Sequence, residues 1–344
     1  MNYRSVSDMT ATIQANLSRL PQPVDLVVGI PRSGLLAATL ASLALNAPVA
    51  DLEGYCAGRM LATGKTRRRA APAREPGTRR RVVVLDDSIF HGTAMREARA
   101  MVTAAGTGDD VTFVAVYGNA LRHPDADLVL EAVPQPRFFQ WNVMHHAILA
   151  DACVDIDGIL CLDPTADEND DGPNYERFLD EARPLGIPTR PIGTLVTSRL
   201  EKYRRQTEAW LAANGVEYGK LVMLDLPDMA TRRASRAHGS FKGETYAASS
   251  ALLFIESEHH QAEEIARVSG KPVLCACCYG LIRPDGADPR ALRQRVATMP
   301  RRFMLAKTPL TNARSAKLLA RRLMGDAMFE RAKRFAGRGG VGAR

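Results

Sequence analysis

Val82-Val83-Val84-Leu85-Asp86-Asp87-Ser88-Ile89-Phe90-His91-Gly92-Thr93 reads as a buried strand that delivers two carboxylates into a glycine-containing turn. A helix through Ala94, Ala98 and Val102 follows. A turn at the carboxyl end of a strand presents several backbone N–H groups to one point, and the helix adds its N-terminal partial positive charge there. The layout suits a phosphate. The adjacent acids repel a phosphate, so they must face something hydroxylated or cationic beside it, such as a ribose diol or Mg²⁺. A sugar phosphate meets both demands.

Upstream, Leu26-Val27-Val28 is a short buried strand leading into Gly29-Ile30-Pro31-Arg32-Ser33-Gly34 and a helix rich in Ala and Leu, a second anion site of the same design. In this order the two loops resemble the pyrophosphate loop and the PRPP-binding signature of type I phosphoribosyltransferases, PRPP being phosphoribosyl pyrophosphate. Ser after the acids and Gly-Thr closing the loop bring the signature nearest to that of glutamine PRPP amidotransferases. His91 and Ala94 depart from the usual residues, which are Arg or Thr and Thr or Ser; the hydroxyl lost at Ala94 leaves the backbone cradle in place. The resemblance implies that Arg32 and the Ser33 and Gly34 amides hold pyrophosphate. It also implies that Asp86 and Asp87 face the ribose diol, and that Ser88, Ile89, Phe90, His91, Gly92 and Thr93 wrap the sugar phosphate.

Around these loops, Ser7 and Asp8 are expected to cap a first helix that runs through Leu17 to Leu20, and Val111 to Val116 to form a further strand. Asp51 to Tyr55 is expected as a strand, with Asp51 and Glu53 the candidates for a base that activates an acceptor. Arg59 to Thr78 has the Gly, Pro and Arg content of a mobile loop, and in the resembled family a loop at this position closes over the reacting centre. The aromatic run Pro136-Arg137-Phe138-Phe139-Gln140-Trp141-Asn142-Val143-Met144-His145-His146 reads either as an acceptor-binding hood or as a packed joint between domains.

Cys153-Val154-Asp155-Ile156-Asp157-Gly158-Ile159-Leu160 repeats the theme of a strand ending in acids, now at i and i+2. One carboxylate can attack phosphorus while the other shuttles a proton, with Mg²⁺ between the charges. This resembles motif I of haloacid-dehalogenase-like (HAD) phosphatases, and later segments keep that family's order. Leu195-Val196-Thr197-Ser198 is a strand ending in a hydroxyl, Lys242 lies in Gly239-Ser240-Phe241-Lys242-Gly243, and Leu252-Leu253-Phe254-Ile255-Glu256-Ser257-Glu258 is a strand ending in acids. The resemblance implies Asp155 as nucleophile, Asp157 as general acid/base, Thr197 as a donor to the phosphoryl group and Lys242 as its charge partner. Asp155, Asp157 and Glu256 or Glu258 would hold Mg²⁺, with Glu standing where the family more usually has Asp. The acidic insert from Cys161 to Tyr175 is too short for a large cap, so an open site is expected. The second sheet reads as complete after Lys271-Pro272-Val273-Leu274-Cys275.

With 344 residues, 46% of them hydrophobic, the chain suits two globular domains. No apolar run approaches the length that crosses a bilayer, and the first residues lack a signal-peptide core, so a cytoplasmic location is expected. The formal charge of +8 gathers between Arg59 and Arg81 and again after Arg301. Closure over a polyphosphate substrate is the favoured use of the first cluster, ahead of nucleic acid. After Asn312 a basic amphipathic helix can pack on the domains, on a twin subunit, or on an anionic membrane surface at the inner face of the cytoplasmic membrane. The six cysteines lack a second pair at zinc spacing and read as reduced, mostly buried thiols, and His259-His260 reads as a surface pair at a helix start.

The expected architecture is α/β: a type I phosphoribosyltransferase fold over residues 1–149, a HAD-like fold over 150–296, both Rossmann-like, and a basic helical extension over 297–344. The joined sites imply phosphoribosyl transfer from PRPP followed by removal of the remaining phosphate. Such an arrangement is similar to the PRPP-dependent ribofuranosyltransferases of bacterial polysaccharide synthesis, which implies a glycan hydroxyl as acceptor; a nucleobase or heterocycle is the alternative. A non-catalytic nucleotide- or RNA-binding regulator is the contrasting class, disfavoured by the complete set Asp155, Asp157 and Lys242.

Overall fold

The chain opens with a three-residue strand, β1 (Asn2–Arg4), before Ser5 starts helix α1 (Val6–Asn16). The Ser5 hydroxyl accepts the Asp8 N–H and the Asp8 carboxylate accepts the Ser5 N–H, a capping box that satisfies two donors reciprocally. The cap is therefore Ser5, and Ser7, expected to share it, lies inside the helix. The computed structural model describes residues 1–61, 78–235 and 238–285. Most of the expected Arg59–Thr78 loop and all of the expected 297–344 extension lie outside the described residues.

β2 (Leu26–Gly29), α2 (Ser33–Leu45) and β3 (Val49–Asp51) follow. The strand expected over Asp51–Tyr55 is instead the end of β3 and a short helix, α3 (Leu52–Cys56). Its cause is the Asp51 carboxylate, which accepts the Gly54 N–H at 2.7 Å and caps the helix. β4 (Arg81–Ser88), α4 (Thr93–Ala105), β5 (Asp110–Gly118) and β6 (Leu128–Ala132) complete a five-stranded parallel sheet in the order β3-β2-β4-β5-β6. Val83 and Leu85 pack with α1 and α2 on one face, Val82 and Val84 with α3 and α4 on the other, so β4 is apolar on both faces from Val82 to Leu85.

β7 (Arg137–Phe139) pairs in parallel with β1, far along the chain. Successive residues of a strand point to opposite faces. Phe139 accordingly enters the core of the first sheet, and Phe138, fully buried, enters the core of the second. Tyr3 from β1 joins Phe138 there, its ring 5.1 Å away, and donates its hydroxyl to the Tyr279 carbonyl. Of the two readings of the aromatic run, the joint describes Phe138 and Phe139.

The second sheet comprises β8 (Ala152–Val154), β9 (Ile192–Leu200), β10 (Tyr218–Leu224), β11 (Leu253–Glu256), β12 (Val273–Cys275) and β13 (Gly280–Ile282), in the order β10-β9-β8-β11-β12-β13. All neighbours are parallel except β12 and β13. The sheet thus does not end at Cys275: a turn through Cys277 and Cys278 adds an antiparallel edge strand. Five helices accompany it: α5 (Pro173–Glu181), α6 (Arg204–Ala213), α7 (Met229–Ser235), α8 (His238–Ala248) and α9 (His259–Ser269). Among the described residues no helix is long and apolar enough to cross a membrane.

Truncating the residue that links β7 to the second core tests this arrangement. Phe138→Ala should lower the free energy of unfolding by about 3 to 5 kcal/mol in urea titrations. A loss within about 1 kcal/mol would contradict the joint.

Candidate functional site

In each sheet the direction in which strands are added reverses once, and in open α/β sheets the crevice outside the strand ends at such a point is where ligands bind. In the first sheet the reversal falls between β2 and β4, the strands that feed the two loops singled out from the sequence. The loops touch. A Cβ on Gly34 would lie 2.7 Å from the Leu85 carbonyl oxygen and 3.1 Å from Asp86, so only glycine lets α2 start against the end of β4. The Ser33 hydroxyl donates to Asp87 at 2.7 Å, and the Trp141 indole N–H donates to the other carboxylate oxygen at 2.8 Å. Asp87 is fixed from two sides. Asp86 beside it accepts the Asp87 N–H, and burial, followed by the neighbouring Asp87 charge, pushes its carboxyl well above the usual range.

The following loop has a distinct division of labour. Ile89 is buried, gives its N–H to the Tyr117 carbonyl and accepts from the buried Arg137 guanidinium at 2.7 Å, so its amide is occupied. Phe90 and His91 are exposed, and Gly92 has φ +75°, where a Cβ would collide with Asp125. Arg96 braces the turn by donating to the His91 carbonyl and to Asp125. Thr93 begins α4, Ser33 begins α2, and the first amides of both helices have no partner within their helix. Arg32, exposed, stands at the N-terminus of α2. The structure thus brings Arg32, Ser33, Gly34, Asp86, Asp87 and the turn Ser88–Thr93 to one switch point.

In the second sheet the reversal falls between β8 and β11, and a cavity of about 540 Å³ opens there. Asp155, Asp157, Ser198, Lys242, Ser257, Glu258 and Gln261 are among its lining residues. Lys242, delivered by α8 and 2% exposed, donates to Asp155 at 2.7 Å, Glu256 at 2.8 Å and Gln261 at 3.0 Å. Burial opposes its charge, but Asp155 and Glu256 outweigh that and hold the ammonium above its ordinary range. Asp155 is pushed up to about 8, first by burial, with Lys242 offsetting part of the rise and Glu256 and Asp157 adding to it. Asp157 is gripped by Arg199, whose side chain is fully buried, at 2.6 Å through one nitrogen and 3.2 Å through Nε.

Two of the expected residues, Thr197 and Glu256, lie back from the cavity. Thr197 is fully buried and its hydroxyl accepts the Arg199 N–H, whereas the next residue, Ser198, lines the cavity with a buried hydroxyl that has no partner. Glu256 lies behind the cavity wall, bonded to Lys242 and to the Ser257 and Glu258 amides, while Glu258 faces the cavity. Asp163 joins the lining acids, its carboxyl raised by burial and then by Asp157 and Glu256. A set of oxygen donors carrying more negative charge than Lys242 and Arg199 offset fits a hard divalent cation such as Mg²⁺. Among the residues that sequence reasoning missed are Arg199, Gln261 and Asp163.

No family model matches the chain, and a search of curated proteins found no match. Among solved structures, a purine phosphoribosyltransferase from Pyrococcus horikoshii Ot3 is similar at 19% identity and TM-score 0.28, covering 41% of this chain and 92% of that one. A xanthine-guanine-hypoxanthine phosphoribosyltransferase of Helicobacter pylori is similar at 12% identity and TM-score 0.31, covering 41% and 93%. A hypoxanthine phosphoribosyltransferase of Trypanosoma cruzi is similar at 16% identity and TM-score 0.25, covering 38% and 74%. Likeness at these TM-scores carries no argument about activity, which has to come from the chain's own geometry.

The raised Asp155 carboxyl makes a testable statement about stability. A group that holds its proton more tightly when folded makes the fold lose stability as pH rises from the unfolded value near 4 toward the folded value near 8. Asp155→Asn removes that group, so in divalent-free buffer the variant should melt a few degrees above the parent at pH 8. The difference should shrink toward pH 5. Equal melting curves at both pH values would contradict the buried excess of acid.

Proposed function

We propose that this chain is a two-site enzyme of phosphoribose chemistry. Residues 1–149 would transfer a phosphoribosyl group from PRPP to an acceptor hydroxyl, and residues 150–296 would then remove the phosphate left on the ribose. The observation that carries this reading is a repetition: at the switch point of each sheet, strand-end carboxylates lie beside a glycine-bounded turn. Each is held by a long-range donor, Trp141 in one case and Lys242 in the other.

In the first step an acceptor oxygen bonds to the anomeric carbon as the bond to pyrophosphate breaks, and the acceptor proton leaves to solvent or a base. Positive charge grows on the ribose and negative charge on the pyrophosphate. Asp86 and Asp87 face the ribose diol, while Arg32 and the first amides of α2 face the pyrophosphate; preorganised donors and acceptors of this kind lower the barrier without rearranging. The open amides from Phe90 to Thr93 take the ribose phosphate, the Ile89 amide being occupied.

In the second step an Asp155 oxygen attacks phosphorus as the phosphate ester bond to ribose breaks, and Asp157 gives the leaving oxygen its proton. Asp157 then takes a proton from the water that hydrolyses the aspartyl phosphate. Arg199 keeps Asp157 in one orientation, Lys242 balances charge on Asp155, and Ser198 donates to the phosphoryl group. Bound Mg²⁺, held by Asp155 and Glu258, would neutralise charge on the phosphoryl oxygens. Glu256 acts through Lys242. An open cavity accepts a bulky phosphomonoester, and a glycan hydroxyl is the favoured acceptor. One observation also favours a flat heterocycle: Trp141 stacks on Phe139 with centroids 4.7 Å apart and planes 5° apart, right beside Asp87.

With PRPP, Mg²⁺ and a panel of glycans and nucleobases, the parent should release pyrophosphate and then phosphate. Asp155→Asn should keep the first release and lose at least about 100-fold of the second, with mass spectrometry finding a phosphoribosyl product. Phosphate release at the parent rate from Asp155→Asn would overturn the second assignment, and absence of pyrophosphate with every acceptor the first.

A further inference from the structure

At the rim of the second cavity the fold assembles a group of side chains that the two-step reading does not use. Cys275 ends β12, Cys278 lies in the turn to β13, and His259 is the first residue of α9. Their ligand atoms all lie within 4.8 Å of one another. Around a tetrahedral zinc ion, thiolate and imidazole donors stand about 3.5 to 3.8 Å apart, so closing onto such an ion requires a small contraction. The side chains that must move are free to do so: His259 and Cys278 are exposed, and only Cys275 is buried.

Two features distinguish this group from thiols that happen to be neighbours. Cys275 and Cys278 are separated by two residues across a tight antiparallel turn, the spacing that lets one hairpin offer two sulfurs to a single centre. The third donor comes from another element, and a carboxylate, Glu263, lies 3.7 Å from the His259 ring, one turn further along α9. Cys277 adds a further sulfur 3.2 Å from that of Cys275 and lines the cavity beside His259.

We propose that His259, Cys275 and Cys278 form a binding site for a zinc-class divalent cation. The ligand set is soft, with two sulfurs and one imidazole, and so differs from the oxygen donors around Asp155 that suit Mg²⁺. Binding displaces the thiol protons to solvent. The ion would tie the β12–β13 turn to the first turn of α9. That turn follows Glu258 directly and carries Gln261, the third partner of Lys242. Occupancy would therefore steady the rim of the cavity. The site stands independently of the phosphoribose reading.

Cobalt(II) reports the ligand set directly, because thiolate-to-cobalt charge transfer absorbs in the near ultraviolet and carboxylate ligation does not. The full chain, reduced with a non-thiol phosphine and freed of metal, should develop that absorption with about one equivalent of Co²⁺ and lose it on adding Zn²⁺. Cys278→Ser and His259→Ala, both at exposed positions, should each weaken Co²⁺ binding at least tenfold, while Cys56→Ser should bind as the parent does. Zinc should also raise the melting temperature of the parent and of Asp155→Asn alike. A parent that shows no charge-transfer band, or a band undiminished in both Cys278→Ser and His259→Ala, would overturn the site.

Discussion

A carboxylate withdrawn from water next to another carboxylate is stable only if a donor, a cation or a proton offsets its charge. This protein places such carboxylates at the carboxyl ends of central strands in both of its larger sheets, and much of its remaining architecture serves that constraint. Asp87 is met by the Ser33 hydroxyl and the Trp141 indole. Asp155 is met by Lys242, and Asp157 by Arg199. Where the available donors run short, at Asp86 and Asp155, the carboxyl is driven to keep its proton.

The scaffold explains why those donors are where they are. Strand order places β2 beside β4 and β8 beside β11, which sets the loops in contact, and Gly34 permits that contact in the first sheet. A paired β1 and β7 then join the sheets through Phe138 and Phe139, one side chain in each core. Trp141, two residues beyond Phe139, consequently belongs both to the joint and to the first site.

What could be read from the sequence was whatever is local. Val82–Leu85 and Leu253–Ile255 are unbroken apolar runs, and acids directly after such a run must lie at a strand end. Asp86, Asp87, Asp155 and Glu256 were visible for that reason. Capping was misjudged where two polar residues compete: Ser5 rather than Ser7 closes the box with Asp8, and Asp51 turns its segment into a helix. Partners supplied by folding were invisible. Arg199 lies 42 residues from Asp157, and Trp141 lies 54 from Asp87, with nothing in hydrophobic period or spacing to link them. Lys242, 87 residues from Asp155, was reached through resemblance alone. Cys275 and His259 were each assigned a bland role because the sequence shows the helix start at His259 but not the turn after Cys275 that comes beside it.

The central claim is that one chain holds two cradles for phosphorylated ribose. Its most direct test is a crystal structure of the Asp155→Asn chain grown with PRPP and Mg²⁺. The account predicts electron density for PRPP spanning the Gly29–Gly34 loop and the Asp86–Thr93 turn, with its pyrophosphate at the start of α2 and its ribose hydroxyls on Asp86 and Asp87. Both loops empty at saturating PRPP would contradict it.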